Sequence, residues 1–424
     1  MDKAYRRSQF SDDGRLISPA PGSSVVDHKE KKMLCKAKVN DPITVLCLIT
    51  SVGPGGAETM LYKLLSRLNR ARFTAQVISL VDHGPNAVTE KILKLGIPIR
   101  YLNMRQGSPN PASLARLIRW LKKDPPDVIN TWMYHSDLIG GLAARLAGGI
   151  HVAWGIRHST LNPEDSSRLT VLTMKACALL SRWLPDRIIC CSEASRQVHT
   201  ALGYAAEKMV VIPNGFDLEA CRPDSAARES VRNELQIPED APVIGLVANF
   251  RPQKDHRTFV QAARLLHNDR PDVRFVLCGG DVSWENQALV RWIEEAGVRK
   301  QVYLLGGRND IPRLTASFDV ASSSSSFGEG FPNVLGEAMS CGVPCVTTDV
   351  GESAFIVGQT GMVVPPKDPA ALAGAWRHLV DLGREGRRQL GMAARQRVQE
   401  QFDLPQVVAQ YESVFQKVAC GEHA

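Results

Sequence analysis

The chain has 424 residues, 44% of them hydrophobic and 22% charged, with a formal net charge of +7 at pH 7. These are the proportions of a soluble globular protein of about two or three domains, and no apolar run approaches the ~18 residues of a spanning helix. Nine Lys/Arg against five Asp/Glu in residues 1–40 leave about +3 on the remainder, which excludes a nucleic-acid footprint.

Residues 1–40, rich in Ser, Pro and charge, read as a disordered basic tail. The opening Met1-Asp2-Lys3-Ala4-Tyr5-Arg6-Arg7 has no apolar segment behind it, so no secretion signal is expected. Ile43–Thr50 is a continuous apolar run, the pattern of a strand buried on both faces of a parallel sheet. A glycine turn, Ser51–Gly56, and an amphipathic helix, Ala57–Leu68, follow it. Further strands are expected at Thr74–Leu80, Ile99–Leu102, Asp127–Thr131, His151–Gly155, Arg187–Cys191 and Met209–Ile212. Helices Ala87–Leu95, Pro111–Lys122, Ser136–Leu146, Ser167–Leu184 and Ala194–Leu202 alternate with them. Such alternation predicts a doubly wound α/β sheet.

Pro213-Asn214-Gly215 then punctuates the chain, and Asp217–Asp240 is polar and charged. A second series opens with strand Val243–Ala248 and continues with strands Val273–Cys278, Val302–Leu305, Asp319–Ser323 and Pro344–Thr348. Its helices are Arg257–His267, Glu285–Ala296, Ile311–Ser317, Asn333–Ser340 and Pro369–Asp381. The expected partition is a tail at 1–40, a first Rossmann-like domain at 41–215, a second at 216–400 and a terminal helical segment at 401–424. Within that segment, Gln406–Val418 is amphipathic and suited to packing back across the junction. Two such domains place a cleft between the carboxyl ends of two sheets, where open α/β folds bind ligands.

The most informative stretch is Phe327–Gly351, where Glu329 and Glu337 stand eight positions apart around a strand-to-helix turn. A turn of this kind aims free N–H groups and a helix N-terminus at an anion, and a carboxylate one turn into the helix can accept the hydroxyls of a ribose. Two glutamates alone read equally as an ordinary junction. Arg251 and Lys254 follow strand Val243–Ala248, ahead of a helix that Asp255 is placed to cap. Two cations there can stabilise an anionic leaving group without a metal, and they read equally as a surface pair on a loop. The serine run Ser322–Ser326 reads as small residues at a strand end, with no chemistry assigned. Cys190, Cys191 and Cys278 sit in apolar strands, and Cys341 and Cys345 have no histidine near them, so reduced core thiols rather than zinc are expected.

The segments Gly53–Glu58, Val211–Asp217, Val247–Lys254 and Phe327–Gly351 occur in the order found in retaining glycosyltransferases of family 4, which this chain resembles from about Asp41 to Val418. The resemblance implies a GT-B fold of two facing Rossmann-like domains and a hexosyltransferase using a nucleoside-diphosphate sugar, UDP- or GDP-linked, with no metal cofactor. It implies that Arg251 and Lys254 hold the donor phosphates, Glu329 the sugar hydroxyls and Glu337 the ribose. Gly330, Phe331, Pro332, Asn333, Val334 and Leu335 would form the diphosphate cradle, and Arg308 would sit by the base. Across the cleft, Gly55 and Gly56 would border the acceptor with His135, and His158 would lie near the reacting sugar. Glu58 reads either as a helix cap or as an acceptor contact. Retention implies front-face attack, with the leaving phosphate taking the acceptor proton.

Helix Pro111–Lys123 sets Arg116, Arg119, Lys122 and Lys123 beside Leu114, Leu117, Ile118, Trp120 and Leu121. That pattern suits packing on the sheet, and it suits an anionic lipid surface as well. The resemblance implies a glycan or lipid-linked acceptor and a cytoplasmic enzyme, with contact at the inner face of the plasma membrane as an added possibility. The alternatives are a nucleotide-sugar epimerase of the same fold and a sugar-nucleotide-binding subunit without turnover.

Overall fold

The computed structural model describes residues 41–53, 55–105, 110–158 and 167–422; the expected tail, residues 1–40, lies outside the described residues. Two parallel sheets form. The first joins β1 (Ile43–Ser51), β2 (Phe73–Val81), β3 (Ile99–Tyr101), β4 (Val128–Trp132), β5 (His151–Ile156), β6 (Arg187–Cys190) and β7 (Met209–Val211). Their order is β3-β2-β1-β4-β5-β6-β7, so the winding reverses between β1 and β4. The helices are α1 (Gly56–Arg67), α2 (Ala87–Lys94), α3 (Pro111–Lys123), α4 (Tyr134–Ala147), α5 (Arg168–Leu180) and α6 (Glu193–Ala201).

The second sheet joins β8 (Val243–Val247), β9 (Arg274–Cys278), β10 (Val302–Leu304), β11 (Val320–Ser323), β12 (Cys345–Thr348) and β13 (Met362–Val364), in the order β10-β9-β8-β11-β12-β13. Around it run α7 (Ser225–Leu235), α8 (His256–Asp269), α9 (Gln287–Glu295), α10 (Ile311–Thr315), α11 (Asn333–Ser340), α12 (Ser353–Val357), α13 (Pro369–Asp381) and α14 (Gly383–Gln401). A last helix, α15 (Leu404–Ala419), packs on the first sheet. Leu404, Val407, Val408, Tyr411, Val414, Phe415 and Val418 follow the helical repeat and bury one stripe against Val45, Cys47 and Ile49. Each such side chain contributes about 1.5–3 kcal/mol when fully buried. The C-terminal segment is thus a clamp on the first lobe.

The chain passes between the lobes twice at one place. Phe216 N–H donates to Phe402 O at 2.9 Å, and Leu404 N–H donates to Phe216 O at 3.0 Å. A side chain at Gly215 would collide with the Leu404 backbone at 2.9 Å, so this crossing requires glycine.

The structure departs from the sequence reading in five elements. The polar stretch Asp217–Asp240 contains α7, which buries Ala227, Val231 and Arg232. The 19-residue α14 was not expected, because its inward stripe of Arg387, Gly391, Ala394 and Val398 is too thin and polar to read as amphipathic. Two short elements, α12 and β13, were also missed. The helix expected over Ser167–Leu184 ends at Leu180, where Ser181 turns its hydroxyl onto Ala178 O. Eight cysteines, among them Cys190, Cys191, Cys278, Cys341 and Cys345, are free thiols buried in the core.

Candidate active site in the cleft between the two sheets

On the second lobe, two loops at the carboxyl ends of β8 and β11 are laced together. Gln253 Nε2 donates to Gly328 O at 3.0 Å, Ser326 N–H to Gln253 O at 2.9 Å, and Ser324 Oγ to Lys254 O at 2.9 Å. This brings Lys254 Nζ within 2.5 Å of Glu329 Oε1, which also accepts from Ser325 Oγ at 2.6 Å. The carboxylate side chain is 8% exposed and the lysine 23%, so the pair is largely withdrawn from water. Ser324 and Ser325, which the sequence reading left without a role, therefore fix the two charged groups. Asp255 caps α8 by accepting from Thr258 N–H at 3.1 Å, and it adopts a left-handed backbone at φ 46°. That turn leaves Arg251 exposed at its start.

The N-terminus of α11 comes next. Pro332 is its N-cap and no side chain closes the end. Of the amides from Phe331 to Leu335, proline has none and the Leu335 N–H donates to Pro332 O at 3.2 Å. Within Phe331–Leu335 the amides open to an anion are therefore those of Phe331, Asn333 and Val334. The ring of Phe331 is buried against Phe216 and Phe402, so only its backbone is available to the cleft. Glu337, one turn in, is bonded across the cleft to Lys63 of α1 at 3.1 Å. Lys63 Nζ also lies 5.2 Å from the ring centre of Phe216.

The first lobe closes against this end. A side chain at Gly330 would meet the Arg157 carbonyl at 2.7 Å, and one at Gly56 would meet Asn333 Nδ2 at 3.3 Å. Asn333 Oδ1 accepts from Asn214 Nδ2 at 2.8 Å, and Asn214 Oδ1 accepts from the Arg157 guanidinium at 3.3 Å. Arg157 is buried, stacks 3.9 Å from the ring centre of Trp132, and donates to the Tyr411 hydroxyl of α15. Arg157 and Lys63 were not singled out by the sequence, and Asn214 was named there only within a chain-punctuating turn and the segment Val211–Asp217, with no site role. At the far side, Ala194 N–H at the start of α6 donates to Glu352 Oε1 of the second lobe at 2.7 Å. A carboxylate at a helix N-terminus is favourably placed for the helix dipole.

Gly55 is the N-cap of α1, and the Glu58 carboxylate folds over it. Burial raises the Glu58 pKa, opposed by its own backbone N–H, the Ser51 hydroxyl and His83. The capping reading of Glu58 fits this geometry. His135 is half-buried in the first turn of α4, and burial lowers its pKa. His158 lies two residues past β5, with Ser195 Oγ donating to its carbonyl at 2.8 Å. Its side chain remains open to solvent in the cleft, while the protein crowded around it holds its pKa below the ordinary imidazole value. The Tyr134 ring lies 6.0 Å from that of His158, and its hydroxyl bonds His199 Nε2 at 2.7 Å. Because His199 Nδ1 faces the Ser195 carbonyl at 2.7 Å, that nitrogen carries the proton and Tyr134 donates. Beneath them Asp137 is fully buried and accepts from Thr131 Oγ1 at 2.5 Å; burial pushes its carboxyl up to about 8.

Arg308 is engaged otherwise. Its Nε and one terminal nitrogen bind Asp310 at 2.7 Å each, and the other binds Glu234 at 2.6 Å. Those carboxylates hold its pKa above the ordinary guanidinium value. Each nitrogen is engaged by a carboxylate, and two of the five guanidinium N–H groups remain beyond these three bonds.

Residues 54–220 match the family described as Glycosyltransferase Family 4, and residues 241–381 match Glycosyl transferases group 1. An Escherichia coli UDP-Gal:alpha-D-GlcNAc-diphosphoundecaprenol alpha-1,3-galactosyltransferase is 30% identical over 252 residues, 58% of this chain and 63% of that protein. A Mycobacterium leprae phosphatidyl-myo-inositol mannosyltransferase is 27% identical over 390 residues, 89% of this chain and 97% of that protein. Among solved structures, Anabaena HepE in complex with UDP superposes with a TM-score of 0.76 at 24% identity, covering 88% of this chain and 99% of that one. The same protein has been solved with UDP-glucose, and that structure too gives a TM-score of 0.76, at 23% identity.

Proposed function

The chain belongs to the family 4 glycosyltransferases with the GT-B fold, and from that premise we propose that it is a retaining hexosyltransferase taking a nucleoside-diphosphate sugar to a lipid-linked or glycan acceptor in cell-surface polysaccharide or glycolipid synthesis. The observation that carries this reading is the Lys254–Glu329–Ser325 cluster beside the uncapped end of α11, facing the Gly56 turn and His158. In it the diphosphate lies on Arg251, Lys254 and the amides of Asn333 and Val334. Glu329 orients the sugar hydroxyls, and Glu337 accepts from the ribose.

The acceptor oxygen attacks the anomeric carbon from the face the phosphate leaves. The bond from that carbon to the phosphate oxygen breaks as the new glycosidic bond forms. The acceptor proton passes to the departing phosphate, giving a glycoside and a nucleoside diphosphate. Charge builds on the phosphate, and fixed cations stabilise it more there than in the bound donor. Because two side-chain cations serve that role, turnover is expected to persist in chelator. His158 and His135 border the sugar and acceptor, next to Gly55 and Gly56.

The E. coli relative's name specifies UDP-galactose, and the HepE structures hold UDP and UDP-glucose, which favours a UDP-sugar over a GDP-sugar. Both named relatives act on lipid-linked acceptors, which favours the lipid-linked class. No helix among the described residues is long and apolar enough to cross a membrane, and a peripheral position at the cytoplasmic face fits such an acceptor. Incubation with labelled UDP- and GDP-sugars tests the proposal. Transfer, or slow donor hydrolysis, is expected; an epimerised nucleotide sugar, or binding with no change, would overturn it.

A further inference from the structure

The basic helix α3 does not offer its apolar stripe to anything outside the fold. Leu117 and Leu121 are buried in the core, with Leu114, Ile118 and Trp120 packed against it. Helix α5, which like α3 packs against α4, is different. Its inward face, Thr173, Met174, Cys177 and Ala178, fills the core, yet Leu172 is 62% exposed and Leu179 69%. Trp183, just past its end, is 63% exposed, and Leu146 at the end of α4 is 57% exposed. Of the five most exposed large apolar side chains among the described residues, these are four.

Their spacing is regular. Arg168, Leu172, Lys175, Leu179 and Arg182 recur at the helical repeat, every one exposed, so cations alternate with leucines along one line. No acidic residue occurs from Arg168 to Pro185. Beyond the line, Trp183, Arg145 and Lys208 share the wall of a hollow of about 300 Å³ with one carboxylate, Asp186, which lies 3.3 Å from His151 Nδ1. Scattered exposed leucines need no explanation, but an aligned set interleaved with cations, with a tryptophan at the margin, has the chemistry of the interface between anionic headgroups and acyl chains. The N-terminus of α5 follows β5 and His158 in the chain, so the line starts on the cleft side of the lobe and runs down its flank for about 20 Å.

We propose that this face of α5, with the end of α4, is the surface by which the protein docks on an anionic lipid bilayer. It deepens the reading of a lipid-linked acceptor, since a bilayer held there presents such an acceptor beside the cleft. It is tested without any turnover. The leucines insert among the acyl chains near the headgroups, the cations pair with lipid phosphates, and Trp183 sits at the boundary.

The experiment is co-sedimentation of the full chain with phosphatidylglycerol vesicles and with phosphatidylcholine vesicles. Binding to the anionic vesicles that falls steeply with salt is expected, with much weaker binding to the neutral ones. Lys175→Glu is expected to weaken it about fivefold or more, since each cation near such a surface is worth about 1 kcal/mol. Leu179→Glu is expected to abolish it, while Arg116→Glu on α3 leaves it unchanged. Both α5 positions are exposed, so an unaltered Tm separates lost docking from misfolding. The proposal is overturned if the wild type ignores anionic vesicles, if Arg116→Glu loses binding as Lys175→Glu does, or if sedimentation velocity shows a dimer that Leu179→Glu dissociates. Donor hydrolysis measured without vesicles should be the same in Leu179→Glu as in the wild type. Its absence from both would count against the transferase reading and leave vesicle binding intact as a separate result.

Discussion

Removing the lysine of the central cluster separates two roles that one residue holds. In Lys254→Met the Glu329 carboxylate, 8% exposed, keeps the Ser325 hydroxyl and loses its cation. Leaving a buried charged group short of its partner costs about 1–3 kcal/mol. At ~2–4 °C per kcal/mol, that is a fall of several degrees in Tm. Loss of one preorganised charge at the leaving group costs about a hundred- to a thousandfold in kcat. The double variant Lys254→Met/Glu329→Gln removes the carboxylate charge as well and keeps an acceptor for Ser325. It should recover most of the Tm and none of the turnover. Thermal unfolding and labelled-donor turnover across the wild type, both single variants and the double variant make the cycle. The reasoning fails if the double variant is as unstable as Lys254→Met, or if Lys254→Met turns over within about threefold of the wild type.

Three further outcomes follow from the same geometry. Glu337→Ala should weaken nucleotide binding by about tenfold, the worth of one charged hydrogen bond, as read by titration calorimetry; undiminished affinity would remove Glu337 from the site. Gly330→Ala sets a methyl 2.7 Å from the Arg157 carbonyl, so it should lower both donor affinity and turnover, whereas Gly307→Ala, which meets nothing within 4 Å, should change neither. Asp137 is pushed up to about 8, so the fold keeps a proton that the unfolded chain loses above about pH 4. Its stabilising share is present in acid and lost as pH rises toward 8. The Tm of the wild type relative to Asp137→Asn should therefore fall between those limits, and a constant difference would refute the assignment.

Much of this architecture was legible in the chain because its signals are local. The apolar run at Ile43–Thr50 marks a strand covered on both faces, and α11 was placed at Asn333–Ser340 by the strand and turn before it. By contrast, α14 presents a stripe whose buried members include Arg387 and Gly391, and hydrophobic periodicity does not register such a helix. The site divides in the same way. Glu329, Lys254 and Gly330 belong to short motifs and were named as candidates from them. Lys63 and Asn214 reach their partners over 274 and 119 residues of sequence, where no periodicity connects them. Arg157 was visible only as a residue beside His158, because its burial depends on α15 returning from the far end of the chain. The serines fixing Lys254 and Glu329 looked like filler for the related reason that their bonds cross between two loops.

The central claim is that a pyrophosphate is held between Lys254, Arg251 and the open end of α11. A crystal structure of the protein soaked with a UDP-sugar tests it most directly. Phosphate oxygens within hydrogen-bond reach of Lys254 Nζ and the Asn333 and Val334 amides, with the ribose hydroxyls on Glu337, are the expected result. A nucleotide bound elsewhere, with the Lys254–Glu329 pair closed and α11 unoccupied, would contradict it.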